Sequence, residues 1–508
     1  MKLNKFFTAV LTLAMTMVVV SCQEKEYDYE CVIPSDASAV ARVNLASLAK
    51  KSDIGKSPLL AMVKASLQMM VSTQVKEKAE AIIDDPSLTG IDFSVSPYLF
   101  MVGSNNVCLS LCVDDESLLQ EFMKTLQNQS FCSAIKEHDG YRWTRLMDDF
   151  GVVFSDKVML VMAQMDEDGK GLDEKLMLSL MNLDADQSFT STVQYQKMNE
   201  LRNKDIQVYA NLAAVPSELR DEYKDLMPAT VKWSDMEIVT GVDFNDGNVE
   251  LALKFFSKNE KIQQQLDEYY AGLKKMDGTY VDNIPTDCMA WLYAGVNGET
   301  LLTKLKEIPE VKEALIAAEL GIDAEQMARA IDGDVLILYD DNDSWLGDLD
   351  FSGGDDGWDE YVPREAQELP EETKKDEYFA LYAQLNNSDF MKDVDYWMES
   401  AKDFGIGINR VDDSQYVMKI DNDVIFWAVN DNELYFGSSV YAPLKRQGKN
   451  MFKSEITNSY AYLYIDLKDT KLFRSMTIWS PEAGEIDARL NSMNIAGNIL
   501  KEIIKAWN

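Results

Sequence analysis

Two stretches of this chain, 251 positions apart, open in the same way, and that recurrence limits the fold more than any other feature. Ile33-Pro34-Ser35-Asp36-Ala37 precedes the apolar run Val40 to Leu45, and Ile284-Pro285-Thr286-Asp287-Cys288 precedes Ala290 to Val296. Each run reads as a short strand with proline at its entrance, where a missing ladder donor does least harm. A helical stretch is predicted after each, through Ser57–Ile83 and Leu301–Ile331. A later block matches as well. Tyr141–Met147, Phe150–Phe154 and Val158–Ala163 read as three strands with short polar turns, and so do Tyr416–Ile420, Val424–Val429 and Leu434–Gly437. Short polar turns between apolar runs predict antiparallel meanders. The second match is offset by 275 positions, so 24 extra residues must lie between Val296 and Tyr416. The segment 339–377 is anomalous in composition and falls there. The pattern predicts an α+β chain of two related, duplicated units with antiparallel sheets and packed helices; chance likeness of two antiparallel domains is the alternative.

Other elements follow from local pattern. Leu99–Val102 and Val107–Leu111 form a predicted hairpin through Gly103-Ser104-Asn105-Asn106. A helix capped by Asp114 or Asp115 carries the stripe Leu118, Leu119, Phe122, Met123 and Leu126. Ile206–Leu212 parallels Tyr460–Leu467, and a second hairpin turns at Asp246-Gly247. The final stretch, Glu485–Trp507, reads as one amphipathic helix. Without βαβ alternation and glycine-rich turns, a doubly wound parallel sheet is disfavoured.

The first residues carry an address. Lys2 and Lys5 precede 15 uncharged residues, Phe6–Val20, and then Ser21-Cys22. That run is shorter than the ~20 residues of a membrane-spanning helix, so it reads as a cleaved signal. The pattern is similar to a bacterial lipoprotein signal. It implies a signal peptide over 1–21 and a tether over 22–32, with palmitate-type acyl chains on Cys22. Two or three such chains, at ~0.8 kcal/mol per buried methylene, make attachment practically permanent. An ordinary secretory cut near Ser21 is the alternative. Gln23, in place of an inner-membrane aspartate signal, favours the outer membrane, with either the periplasmic face or the cell surface open. The first unit is then expected over 33–283 and the second over 284–508, with the insertion at 339–377.

Charge excludes one class of partner. The formal net charge is -37, or -39 once Lys2 and Lys5 leave with the signal. Nucleic acid and anionic lipid headgroups are repelled, and no basic run longer than two residues offsets the field, so nucleic-acid binding is excluded. Five cysteines remain beyond Cys22: Cys31, Cys108, Cys112, Cys132 and Cys288. Cys108 and Cys112 lie four strand residues apart, ~13 Å, and cannot join across the ~7 Å limit of a disulfide. Either could pair with Cys132, or all five could be small buried residues.

The insertion is acidic: from Asp340 to Glu377, fifteen acidic residues face three basic ones. Within it Asp348, Asp350, Ser352 and Asp359 match ligand positions of a calcium loop, with Gly353 at the bend. Asp355 stands where such loops carry an apolar residue, so a solvated acidic loop is the simpler reading and no resident metal is expected. Trp345, Phe351, Trp358 and Tyr361 either pack on their own domain or anchor an envelope protein or glycan partner.

Catalytic patterns are scarce. The single histidine, His138, admits no HExxH site and stands in a predicted surface turn. Ser47-Leu48-Ala49-Lys50 and Ser133-Ala134-Ile135-Lys136 fit S-x-x-K without the companion motifs of that class. Gly405-Ile406-Gly407 lacks the third glycine of a dinucleotide loop. Tyr141 and Trp143 read as sheet packing before they read as a sugar platform. No cofactor is expected.

The Cys22 signal, the spacer to Ile33, and Ile33–Val40 with Asn44-Leu45-Ala46-Ser47-Leu48 together resemble an uncharacterised Bacteroidetes lipoprotein family, number 4836 among the domains of unknown function. The resemblance implies an envelope lipoprotein and supplies no catalytic residues. The leading expectation is a non-enzymatic, lipid-anchored binding or assembly component. A carboxylate-based hydrolase of glycans or envelope polymers and a calcium-responsive surface protein are the alternatives.

Overall fold

A computed structural model describes residues 28–53, 75–103, 105–138, 140–147, 149–164, 172–201, 203–214, 220, 231–286, 288–306, 323–340, 378–404, 406–420, 423–430, 432–467, 470 and 472–507. The chain forms two compact units. The first comprises residues up to Lys258 together with Ser492–Asn508, and the second spans Asn259–Asn491. The division expected at 283/284 lies within the second unit.

The first unit holds β1 (Ala39–Val43), β2 (Tyr98–Val102), β3 (Asn106–Cys112), β4 (Lys136–His138), β5 (Tyr141–Leu146), β6 (Phe150–Phe154), β7 (Val158–Gln164), β8 (Ile206–Asn211), β9 (Glu237–Asn245) and β10 (Asn248–Phe256). All their pairings are antiparallel, in the order β10-β9-β8-β1-β2-β3-β7-β6-β5-β4. Strand β3 is buried on both faces, and the two-residue period sorts its side chains. Cys108 and Cys112 face a core of Tyr98, Phe100, Trp143, Phe189 and Tyr209. Leu109 and Leu111 face Val152, Phe154, Leu119 and Met123, beneath the helix Glu116–Asn128. Asp115 caps that helix by accepting from Leu118 N at 3.0 Å.

Tyr29 lies in the first core, 1 % exposed, donating to the Ser96 carbonyl at 2.7 Å and accepting Ser110 Oγ on its own carbonyl at 2.6 Å. Val32 and Ile33 are buried beside it. Packing therefore begins inside the stretch 22–32 expected to be tether. Pro34 forms an isolated antiparallel bridge with Ser188, and Pro285 lies in irregular backbone; both precede their strands and neither is the first strand residue. All five cysteines beyond residue 22 carry thiols. Burial pushes the Cys108 thiol up, and Cys132 rises to about 11 for the same reason.

The second unit holds β11 (Leu273–Lys274), β12 (Ala290–Asn297), β13 (Ile331–Asp340), β14 (Tyr378–Leu385), β15 (Gly407–Arg410), β16 (Gln415–Ile420), β17 (Asp423–Asn430), β18 (Glu433–Gly437), β19 (Ala461–Asp466), β20 (Phe473–Ser480) and β21 (Glu485–Ser492, its last residue in the first unit). The antiparallel order is β20-β19-β12-β13-β14-β18-β17-β16-β15, with β11 on the far end of β12. Tyrosines and tryptophans fill one core, where Trp291 stacks on Tyr462 at 5.4 Å and Tyr462 on Trp479 at 5.9 Å. A second core gathers Phe390, Trp397, Tyr416 and Trp427.

Two sequence expectations change. Glu485–Trp507 is not one helix: Glu485–Ser492 is a strand, and the helix is Ile499–Trp507. Ile486, Ala488 and Leu490 alternate with polar residues at a strand period, while Ile486, Leu490 and Met493 also fall on one helical face. The helix expected over Leu301–Ile331 is described as Gly298–Leu305 and Ala324–Ala330, and Ile331 already belongs to β13. Of the helix expected over Ser57–Ile83, the described part is Lys76–Asp84.

Ser492–Trp507 closes the first unit. Ser492 N donates to the Gly247 carbonyl at 2.7 Å, Gly247 N to the Gly497 carbonyl at 2.9 Å, and Asn498 Nδ2 to the Phe244 carbonyl at 2.9 Å. Gly247 has φ +79 at the β9–β10 turn, and a Cβ there would meet Ile495 Cα at 3.0 Å. Turn geometry and close approach thus both require glycine. Ile499 is fully buried, and Lys501 pairs with Asp53 at 3.0 Å.

Candidate functional site

Among the described residues of the second unit, a concentrated polar cluster sits at the start of β13. Asp334, Leu336 and Leu338 share one parity and are all buried, so a carboxyl points into a position the pattern reserves for leucine. The register shifts between Ile331 and Val335, and Gly333 takes φ +137 with Gln384 Oε1 occupying the place where a Cβ would stand. That bulge aims Asp334 at the loop after β11. Its Oδ1 accepts from Asp277 N at 3.1 Å; its Oδ2 accepts from Gly278 N at 2.8 Å, Thr279 N at 2.9 Å and Tyr293 Oη at 2.5 Å. Gln384 completes the frame by accepting from Asp334 N at 2.6 Å and donating to Thr279 Oγ1 at 2.8 Å.

Asp277 faces the same spot. Burial and the neighbouring Asp277 carboxyl raise the pKa of Asp334. Burial also works against ionisation of Asp277, but hydrogen bonds with Asp334 and Thr279 outweigh it and its pKa is lowered. Of the two carboxyls, Asp334 is the one that takes up a proton more readily as pH falls. A cavity of about 350 Å³ opens here, lined by Lys274, Asp277, Asp332, Gln384 and Asn432. Lys274 pairs with Asp332, and Lys275 with Glu482 at 2.7 Å. Donors occupy both Asp334 oxygens, so proton exchange with a ligand requires this frame to open. The arrangement is suited to pinning the 277–279 loop.

Asp277→Asn tests the effect of one carboxyl on the other. Asn Oδ1 can still accept from Thr279, while the amide can donate to an ionised Asp334. Asp334, with its folded pKa raised, contributes stability that is complete below its unfolded value of ~3.9 and declines as pH rises through the folded value. Urea unfolding from about pH 4, near the unfolded value, up to neutrality should show a smaller loss of stability with rising pH in D277N than in the parent. An unchanged pH slope would show that Asp277 does not raise the pKa of Asp334.

The first unit has a counterpart in charge, built differently. Asp205, 1 % exposed, accepts from Lys51 Nζ at 2.7 Å, Ser47 Oγ at 2.6 Å and Phe244 N at 2.7 Å. Lys51 also reaches Asp243 at 2.6 Å. Burial opposes both charges, yet the hydrogen bonds win, lowering Asp205 and raising Lys51. Lys51 is thus a held cation, unsuited to serve as a base for Ser47, and the Lys50 of the S-x-x-K match is exposed. Ser133 Oγ lies 3.2 Å from Thr144 Oγ1, and Lys136 is exposed on β4. A second cavity, of about 360 Å³, is lined by Cys31, Tyr141, Lys157, Leu180 and Met181.

The sequence candidates fall as follows. Cys22, Trp345, Asp348, Asp350, Ser352, Trp358, Asp359 and Tyr361 lie outside the described residues. His138 ends β4, an exposed short strand and not a turn. Trp143 is buried in the core, and Tyr141 Oη donates to the Met181 carbonyl at 2.9 Å, as sheet packing requires. Asp205, Asp277 and Asp334 were not singled out by motif. Strand parity was the available signal for Asp334. Among the described residues no group of three or more His, Cys, Asp or Glu side chains could hold a metal ion, and no helix is long and apolar enough to cross a membrane.

Two antiparallel units with helices packed on their sheets define an α+β protein. Residues 29–480 match the model of the domain of unknown function DUF4836, and the chain belongs to that family. No curated protein matches it. Three crystal forms of TP0453 share 12 % identity with it, at TM-scores of 0.27, 0.27 and 0.28, covering 46–49 % of this chain and 81–88 % of theirs. Those scores are too low to carry an argument.

Proposed function

We propose that the chain is a lipid-anchored outer-membrane lipoprotein of two duplicated units, acting as a non-enzymatic binding or assembly component. The observation that carries this is the N-terminal pattern: Lys2 and Lys5, the uncharged run Phe6–Val20, then Ser21-Cys22. The buried Tyr29 supports it, because packing begins seven residues after Cys22. A tether that short spans at most ~25 Å when fully extended. Such a link serves to hold a folded body near a bilayer.

Duplication is supported by the strand orders. Read from β8 and from β19, the central run β8-β1-β2-β3-β7-β6-β5-β4 matches β19-β12-β13-β14-β18-β17-β16-β15 place for place. The hydrolase reading has Asp277 and Asp334 in its favour, but Asp334 turns its oxygens inward onto backbone donors, not toward a substrate. Detergent phase separation of the native protein, with mass analysis of its first residue, tests the anchor. The expected result is partition into the detergent phase with an acylated Cys22, and loss of both in C22S. Aqueous partition with an unmodified N-terminus would overturn it.

A further inference from the structure

The sheet of the second unit buries one face and leaves part of the other open. Trp291, Tyr293, Leu336 and Leu338 are buried on the first face. Their neighbours along the strands point the opposite way, and there Leu292, Tyr339 and Phe379 are 37, 36 and 39 % exposed. Pairing joins these three into one patch: Tyr339 stands beside Phe379 and Ala290, and Leu292 beside Ile337 and Leu463. With Ile478 opposite Leu463, the patch runs from β14 to β20. Four strand spacings of ~4.8 Å make it about 19 Å wide. The matching place in the first unit is closed. Val40 pairs with Phe100 and Tyr209 as Trp291 pairs with Leu338 and Tyr464, so Met101 and Val107 stand where Tyr339 and Phe379 stand. Val107 is 5 % exposed, and Met101 packs against the same core. Three residues join β2 to β3 there, whereas 37 residues, 341–377, join β13 to β14.

We propose that the segment 341–377 docks on this open face of its own unit, with Trp345, Phe351, Trp358 and Tyr361 covering Leu292, Tyr339 and Phe379. Where the segment begins and ends selects it as the occupant. Tyr339 lies two positions before it and Phe379 two positions after it, so it departs from the patch and returns to it. Trp345 is six residues beyond Tyr339, a reach of about 20 Å that matches the width of the patch. Tethering at both ends gives the segment an effective concentration that a free partner must exceed. Charge does not drive the contact, because fifteen acidic residues against three basic are repelled by an acidic chain. The attraction is apolar burial, so it tightens when salt screens the repulsion. An envelope protein or glycan that used these aromatics as anchors would first have to displace them. The inference is independent of the lipid anchor.

The test uses the chain from position 22 onward with Cys22→Ser, carrying the photo-crosslinker p-benzoylphenylalanine in place of Phe379 or, separately, of Met451. Met451 is 83 % exposed and adjoins Phe452, which packs against Trp291 on the other face of the sheet. Mass analysis of the irradiated monomer should map crosslinks from position 379 onto residues 345–361. The yield from position 451 should be at least about tenfold lower. Trp345→Ser/Phe351→Ser/Trp358→Ser/Tyr361→Ser should cut the yield from position 379 by at least about tenfold, since every aromatic contact is lost. Raising salt to about 0.15 M, where charges are screened over ~8 Å, should raise that yield above its low-salt value. No crosslink from position 379 to residues 345–361, crosslinks between chains only, or equal yields from the two positions would each overturn the proposal. So would a yield that falls with salt, or one that survives all four substitutions. The maps and the salt series decide the matter even if the four-serine variant fails to fold. Failure of the anchor reading is distinguishable, because the chain measured here carries no lipid.

Discussion

Removing residues 493–508 should cost the first unit at least ~4 kcal/mol, a large share of the ~5–15 kcal/mol that holds a domain together. The segment supplies a fully buried Ile499, worth ~1.5–3 kcal/mol by burial alone. It also supplies the Asn498 bond to Phe244 and the Lys501 pair with Asp53, which fasten it to β9 and to the end of the helix Leu45–Ser52. The pair is partly exposed and adds little; the apolar contact and the backbone bonds dominate. Hydrogen exchange distinguishes this from general destabilisation. Protection should fall across β8, β9 and β10 and persist in β12, β13 and β14. Uniform loss in both units, or none in β8–β10, would contradict the assignment of this segment to the first unit.

Asp205→Ala carries the second large effect. The substitution strands Lys51 in a half-buried place, removes the acceptor of Phe244 N and frees Ser47 Oγ. Breaking a buried pair from one side costs ~3–5 kcal/mol, because the remaining charge stays desolvated. Asp243 remains 2.6 Å from Lys51 and offsets part of that, so the lower end is expected. The sign with pH is opposite to that for Asp334. Asp205 has a lowered folded pKa, so its contribution is present above its unfolded value of ~3.9 and is lost as pH falls through the folded one. The deficit of D205A in urea midpoints should thus be full near neutrality and shrink in acid. The double variant Lys51→Met/Asp205→Ala, which removes the stranded cation, should recover part of the loss. If the double variant is less stable than D205A by the full cost of a second independent change, the pair is not coupled.

Much of the architecture was legible because strand period and turn chemistry agree. Tyr141–Leu146, Phe150–Phe154 and Val158–Gln164 pair as the polar turns imply, and Asp246-Gly247 turns β9 into β10. Reading failed where two periods overlap. Ile486 and Leu490 satisfy a helical spacing and a strand spacing together, and pairing decided in favour of the strand. It failed again at Ile331, where a helix runs directly into β13 with no glycine or proline between them.

The polar networks were harder to see, for a reason specific to each. Asp334 lies in Asp332-Gly333-Asp334, which looks like a turn, and its burial becomes evident only when Leu336 and Leu338 fix the parity. Asp205 precedes β8 by one residue, and its partners Lys51 and Asp243 lie 154 and 38 positions away, so spacing carries no trace of the cluster.

Because Ser492–Trp507 belongs with residues before 259, the second unit is a continuous excursion between two parts of the first. A polypeptide delivered from its amino end offers every residue of the excursion before its host can be closed. The order of maturation is therefore written into the threading: the nested body can form early, while the host waits, with the edge around Gly247 and Phe244 uncovered, until the closing helix arrives.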